Sequence, residues 1–127
     1  MRRALPRLAL GAVLAALAGC ATERAYPGPA QPKDEVATIV GTPALNAGLP
    51  IEAVIRKVDA TVVGVVYSHV QVLPGHHTIL VDCLMPAEHT TVRFALEVDA
   101  GAGERYELVA ESAPGNHSCG EVRIERR

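Results

Sequence analysis

Thr91-Val92-Arg93-Phe94-Ala95-Leu96-Glu97-Val98 is the stretch that decides the fold. Val92, Phe94, Leu96 and Val98 alternate with Thr91, Arg93, Ala95 and Glu97. A period of two places one set on each side of an extended chain, so the stretch predicts a strand with one buried and one wet face. The same pattern precedes it. His77, Ile79, Val81 and Cys83 share one face of a strand, and His76, Thr78, Leu80 and Asp82 the other. Pro74-Gly75 opens that strand with a tight reversal, proline presetting φ and glycine accepting positive φ. Leu84 to His89, with Met85 and Pro86, reads as the loop between the two strands.

Working outward, Asp99-Ala100-Gly101-Ala102-Gly103 turns the chain and Arg105 to Ala110 returns, with Tyr106 and Leu108 facing inward. Ser112 to Ser118 is a polar loop. Cys119 to Glu125 closes the domain, with Val122 and Ile124 in and Glu121, Arg123 and Glu125 out. Upstream, Val70 to Leu73 alternates. Thr61 to Tyr67 is β-branched, with Gly64 as a bulge or a point of close approach. Ile51, Val54, Ile55 and Val58 fit a helical stripe as well as a strand. The segment is short, β-branched and followed by the turn-like Asp59-Ala60, which favours the strand. Gly41 to Pro50 reads as a loop, and Val36 to Val40 as a short strand. About seven short strands separated by turn signals predict an all-β fold, a single small antiparallel β-sandwich over residues 36–127.

The N-terminus carries a different message. Arg2, Arg3 and Arg7 precede an apolar run from Leu8 to Ala18, a signal-peptide pattern too short to span a bilayer as a lasting helix. Leu17-Ala18-Gly19-Cys20 resembles the lipobox of bacterial lipoproteins. The resemblance implies that residues 1–19 are a cleaved signal peptide and that the Cys20 thiol receives a diacylglycerol, its amine usually a further acyl chain. Two or three chains anchor a protein stably, where one does not. Alanine at position 21 leans, by the family's sorting rule, to the outer membrane facing the periplasm. The competing reading is an ordinary secretory signal whose cleavage site happens to contain a cysteine. Residues 20–35 then form the lipidated cysteine and a disordered tether rich in proline, which fully stretched reaches roughly 40 Å.

Losing residues 1–19 removes three arginines and leaves nine basic against fourteen acidic residues, a charge of about −5 with neutral histidines. The charges are interspersed without a basic stripe, so nucleic-acid binding has no electrostatic footprint. With Cys20 given to lipid, Cys83 and Cys119 remain. In an oxidising periplasm their simplest use is a disulfide. Metal ligation and a redox pair are the alternatives, the latter without C-x-x-C spacing.

Val58-Asp59-Ala60, then Val70 to Val81 around Pro74-Gly75, then Ala100-Gly101 to Leu108 have the cadence of a known group. They resemble small envelope lipoproteins with PEGA-like or transthyretin-like sandwich domains. Ala60 stands where that turn usually has glycine, and Gly103 is inserted before Tyr106. The motifs encode turns and core positions, so the resemblance implies a fold and no activity.

Chemistry is sparse. His69, His76, His77 and His89 are the residues that a copper or zinc site would use, with Met85 beside them. Their spacings match no finger, zincin or blue-copper pattern, and adjacent His76 and His77 on a strand face opposite ways. No G-x-S-x-G setting supports a nucleophilic serine, and pairs such as Asp82 with Glu88 have no special spacing. Of Tyr67, Tyr106 and Phe94, only Tyr67 is free to act as a sugar platform. The reading is therefore a non-enzymatic interaction module without cofactor, anchored to a membrane through Cys20 and meeting an envelope protein. The loops at 84–90 and 111–118, near the two cysteines, are its expected contact surface, with an unpaired edge strand as the other candidate. A histidine-dependent metal-binding lipoprotein is the alternative.

Overall fold

A computed structural model describes residues 22–41, 43–46, 49–64 and 67–127. Two sheets pack face to face. The first has the strand order β1 (Thr22–Arg24), β6 (His69–Val72), β2 (Ala37–Val40), β9 (Arg105–Ser112), β10 (Cys119–Arg126). The second runs β3 (Pro43–Asn46), β4 (Leu49–Val58), β7 (Gly75–Met85), β8 (Thr90–Ala100), with β5 (Thr61–Val62) also on β4. This is the expected small β-sandwich.

The longest ladder pairs β7 with β8 from Gly75↔Ala100 to Met85↔Thr90. Ile79, Val81, Cys83 and Met85 are buried on one face of β7, as the alternation required. They meet Ile51, Ala53 and Ile55 of β4 and, from the opposite sheet, Ile39, Val70, Val72, Tyr106, Leu108 and Val122, forming one core. The sheets approach closely at Gly41, where a Cβ would lie 2.6 Å from the Ala53 carbonyl oxygen. Only glycine fits there.

Five features differ from the expectation. The second sheet is antiparallel throughout, but the first is mixed, with β1 parallel to β6 and β2 parallel to β9. Alternation reports which face is buried, not which way a neighbouring strand runs. Strand structure also occupies much of the expected loop at 41–50, as β3 and the start of β4. Leu84 and Met85 extend β7, so the turn to β8 is only the 3₁₀ segment Pro86–Glu88 and His89. The strand expected over 61–67 is limited to Thr61–Val62, and Val65 and Val66 lie outside the described residues.

The fifth difference concerns the tether. Thr22–Arg24 adds a strand to β6, and the Ala25 N–H continues the pairing by donating to the Gln71 carbonyl at 2.8 Å. Ala25 and Tyr26 are buried. The Tyr26 hydroxyl accepts from the Gln31 N–H at 3.0 Å, and the Arg24 guanidinium sits 5.9 Å from the Tyr26 ring centroid. An aromatic body of this size gains more from burial than a spacer gains from freedom. The disordered tether expected over 20–35 is thus corrected for Thr22–Tyr26. The following run, 27–35, is exposed and crosses the surface to β2, with a 3₁₀ turn at Lys33–Glu35.

Candidate functional site

The strand order leaves two long sides to consider. β10 lies over β8 and β7, and β9 over β4. The two edge strands β8 and β10 therefore share one side of the sandwich. β1, β3 and β5 share the opposite side.

On the β8–β10 side the core is incompletely covered. Val92, Phe94 and Leu96 point inward from β8, yet each is only half buried, as is Ile124 of β10. The matching residues of β7, one strand further in, are fully buried. The cause is position: an inward side chain on an edge strand has neighbours on one flank only. The result is an apolar seam between two strands whose outer backbone groups carry no ladder partner among the described residues.

One end of the seam is closed. His117 Nδ1 is 2.8 Å from Glu88 Oε1, and the Thr90 hydroxyl donates to the His117 carbonyl at 3.2 Å. These contacts join the 84–90 and 111–118 segments, which were expected near each other because of the cysteines. The disulfide lies just behind them. Cys83 and Cys119 are bonded, with their Cα atoms 6.2 Å apart, tying β7 of one sheet to β10 of the other.

The other end opens into a cleft of about 390 Å³ lined by Glu97, Val98, Asp99, Tyr106, Ile124 and Arg126. Tyr106 is buried, and its hydroxyl accepts from the Gly101 N–H at 3.0 Å. That hydroxyl also lies 2.9 Å from Glu104 Oε1 and 3.2 Å from the Asp99 carbonyl oxygen, which share its proton. Burial, more than any other influence, raises its pKa. Arg126 reaches Glu104 at 3.4 Å across the mouth. The cleft thus carries charged groups at its mouth, with Val98 and Ile124 as its apolar lining.

The histidines have other duties. His76 places Nδ1 2.9 Å from Asp99 Oδ1 and its Nε2 against Glu97 Oε1. Both acceptors are carboxylates, so both ring nitrogens carry hydrogen, and the pKa of His76 is raised by Asp99 first and Glu97 second. His77 lies on the other face of β7, bonded to Asp59 Oδ2 at 2.6 Å and the Leu73 carbonyl at 2.6 Å. Asp59 has φ 52°, and its Oδ1 accepts from the Thr78 N–H at 2.9 Å. Its carboxyl is held below the usual range by His77 and then by that N–H. Aspartate tolerates this left-handed geometry better than most residues, which explains how the turn forms with Ala60 after it. His69 is bonded to Ser68 Oγ at 2.9 Å, and burial pushes its pKa down. His89 caps the 3₁₀ turn in the left-handed region. Among the described residues, no group of three or more His, Cys, Asp or Glu side chains is arranged to hold a metal ion.

On the outer face of the second sheet, Asp82 accepts a bidentate pair from Arg93, at 2.7 and 3.0 Å. The Arg93 hydrogen bonds hold its carboxyl below the usual range. Glu88, the carboxylate once paired with Asp82 in sequence, instead meets His117. Tyr67 is half buried against the core. Cys20 lies outside the described residues.

Phe94, Leu96 and Ile124 were legible as inward-facing residues, but not as a seam. Only the spatial order of strands reveals that β8 and β10 are both edges. No family model, curated protein or solved structure matches this chain.

Proposed function

We propose that the protein is a non-enzymatic interaction module of the bacterial cell envelope, anchored through lipid on Cys20 and exposed to the periplasm, most simply at the outer membrane. Its partner is an envelope protein that places an extended apolar segment along the β8–β10 seam. The observation that carries this reading is the row Val92, Phe94, Leu96 and Ile124, half buried between two edge strands. An unpaired edge supplies main-chain donors and acceptors, and alternate side chains supply the apolar contacts, which is how strand addition recognises a partner. The fixed rim of Asp99, Glu104 and Arg126 would set the register at the open end. The disulfide close to the closed end fits an oxidising compartment.

Crosslinking in cells, followed by purification, tests the reading. One stoichiometric envelope partner is expected, and Leu96→Glu should abolish its capture while leaving the protein folded, because position 96 is only half buried. Equal capture by the variant would reject the seam. The anchor has its own check. Cys20→Ser should move the protein out of the membrane fraction, and continued lipid labelling of that variant would reject lipidation.

A further inference from the structure

The seam occupies one side of the sandwich; the opposite side has a use of its own. We propose that the β1–β5 side lies directly against the bilayer that holds Cys20, with Val62 entering the interfacial layer. This rests on the reading of Cys20 as the lipidated residue.

The first observation is the length of chain available. β1 begins at Thr22, paired to His69. It is two positions from Cys20, with only Ala21 between, and an extended chain covers at most about 7 Å in that distance. Acyl chains on Cys20 therefore hold the Thr22 end of β1 close to the bilayer surface. The roughly 40 Å of reach allowed by a free 20–35 segment is not available, because Thr22–Tyr26 is built into the sheet and its buried residues would have to leave the core.

The second observation is what stands beside β1. The Gly64 N–H donates to Glu23 Oε1 at 3.1 Å, so the segment leaving β5 is fastened to the strand that follows the anchor. Val62 lies just before it and is 70% exposed, the large apolar side chain left in the open among the described residues. Val63, its neighbour, is fully buried, so the local geometry turns one valine in and the other out. An outward valine in water gains nothing for the fold. In the interfacial region of a bilayer it removes apolar surface from water.

The third observation is charge. Lys57 pairs with Val62 across β4 and β5, and opposite residues in such a pair share a face. Exposed Arg24 follows on β1. Lys57 is the cation beside the apolar residue, while on β1 the Glu23 carboxylate is held by the Gly64 N–H and Arg24 sits over the Tyr26 ring. A cation next to an apolar tip suits a surface of phosphate headgroups. The acidic Glu97 and Asp99 lie on the other side, at the seam. Resting on the β1–β5 side leaves the β8–β10 side facing away from the membrane and open to a partner.

The full lipidated protein, purified and reconstituted into vesicles of phosphatidylethanolamine and phosphatidylglycerol, tests this. An environment-sensitive fluorescent amino acid replaces Val62 in one sample and exposed Ala95 of β8 in another. Co-sedimentation with the vesicles is measured in each. The proposal expects emission from position 62 to shift to the blue and to be quenched by lipids carrying a shallow spin label, with position 95 quenched only by aqueous iodide. Equal iodide quenching at both positions in protein that still sediments would overturn the proposal and leave anchoring intact. A blue shift at 62 without quenching by lipid would point to a second copy or another protein, and would also overturn it. Failure to sediment would overturn the proposal together with the anchor. Replacing Lys57 by glutamine should reduce lipid quenching at position 62 several-fold.

Discussion

His76 shows how a single residue can stand among acidic groups without forming a metal site. Its ring is bonded on both nitrogens to carboxylates from the neighbouring strand, one directly opposite and one diagonal. Both partners favour the imidazolium, so its folded pKa is raised. The stabilisation is therefore fully present below the ordinary histidine value of about 6.5 and is lost as pH rises through the elevated folded value. His69 behaves oppositely. Burial, with Arg105 and Lys33 adding to it, depresses its pKa, so its contribution is present above the ordinary value and lost as pH falls through the depressed one. Proton NMR titration of the folded protein should find His76 titrating above a free histidine and His69 below it. Asp99→Asn should lower the His76 midpoint and leave that of His69 in place. A His76 midpoint unmoved by that substitution would break the assignment.

At the scale of elements, the most consequential link is between sheets. Cys83 is fully buried on β7 and Cys119 is buried at the start of β10. Their bond closes a loop of sequence separation 36. Cys83→Ala with Cys119→Ala is expected to cost about 2–4 kcal/mol, mostly by releasing the unfolded chain. For a domain of this size that lowers the melting temperature by roughly 10–20 °C. Calorimetry of the oxidised protein and the double variant would measure it, and an unchanged melting temperature would deny the bond a structural role. Gly120, next to Cys119, adds a local constraint. It sits at the irregularity in the β9–β10 pairing, and a Cβ there would come within 2.8 Å of the Ala113 Cα.

Elements also show where the sequence could be read. β7, β8 and β10 were legible because each carries an uninterrupted alternation that only a half-buried strand explains. β3 was not, since prolines and glycines surround it and a short edge segment needs little alternation to pair. β1 was hidden behind the prolines that follow it. Its one signal was Tyr26, an aromatic too large to leave idle in a spacer. The disulfide was legible from the count of cysteines once Cys20 is set aside. The seam was not, because it depends on which strands end at a sheet edge, and strand order is set by non-local packing that no local pattern records. The partnership of His76 with Asp99 was hidden for the same reason: it depends on the β7–β8 register.

For the whole molecule, the proposed reading gives the two sides of the sandwich different tasks. One carries β1, the first described strand after Cys20, and on the same side Val62 and Lys57 of the β4–β5 pair. The other carries the open seam, closed at one end by Glu88 and His117 near the disulfide and widening at the other into the cleft beside Tyr106. A domain held by one side and reading with the other has no need of a long tether. The account stands or falls on the seam. The most direct measurement is a photo-crosslinking scan in living cells, placing the crosslinking residue in turn at positions 92, 94, 96 and 124 and, for comparison, at exposed Thr61 on the opposite side. The account predicts crosslinks to one envelope protein from the seam positions and none to that protein from position 61. Absence of crosslinks along the seam, or the same partner captured equally from position 61, would contradict it.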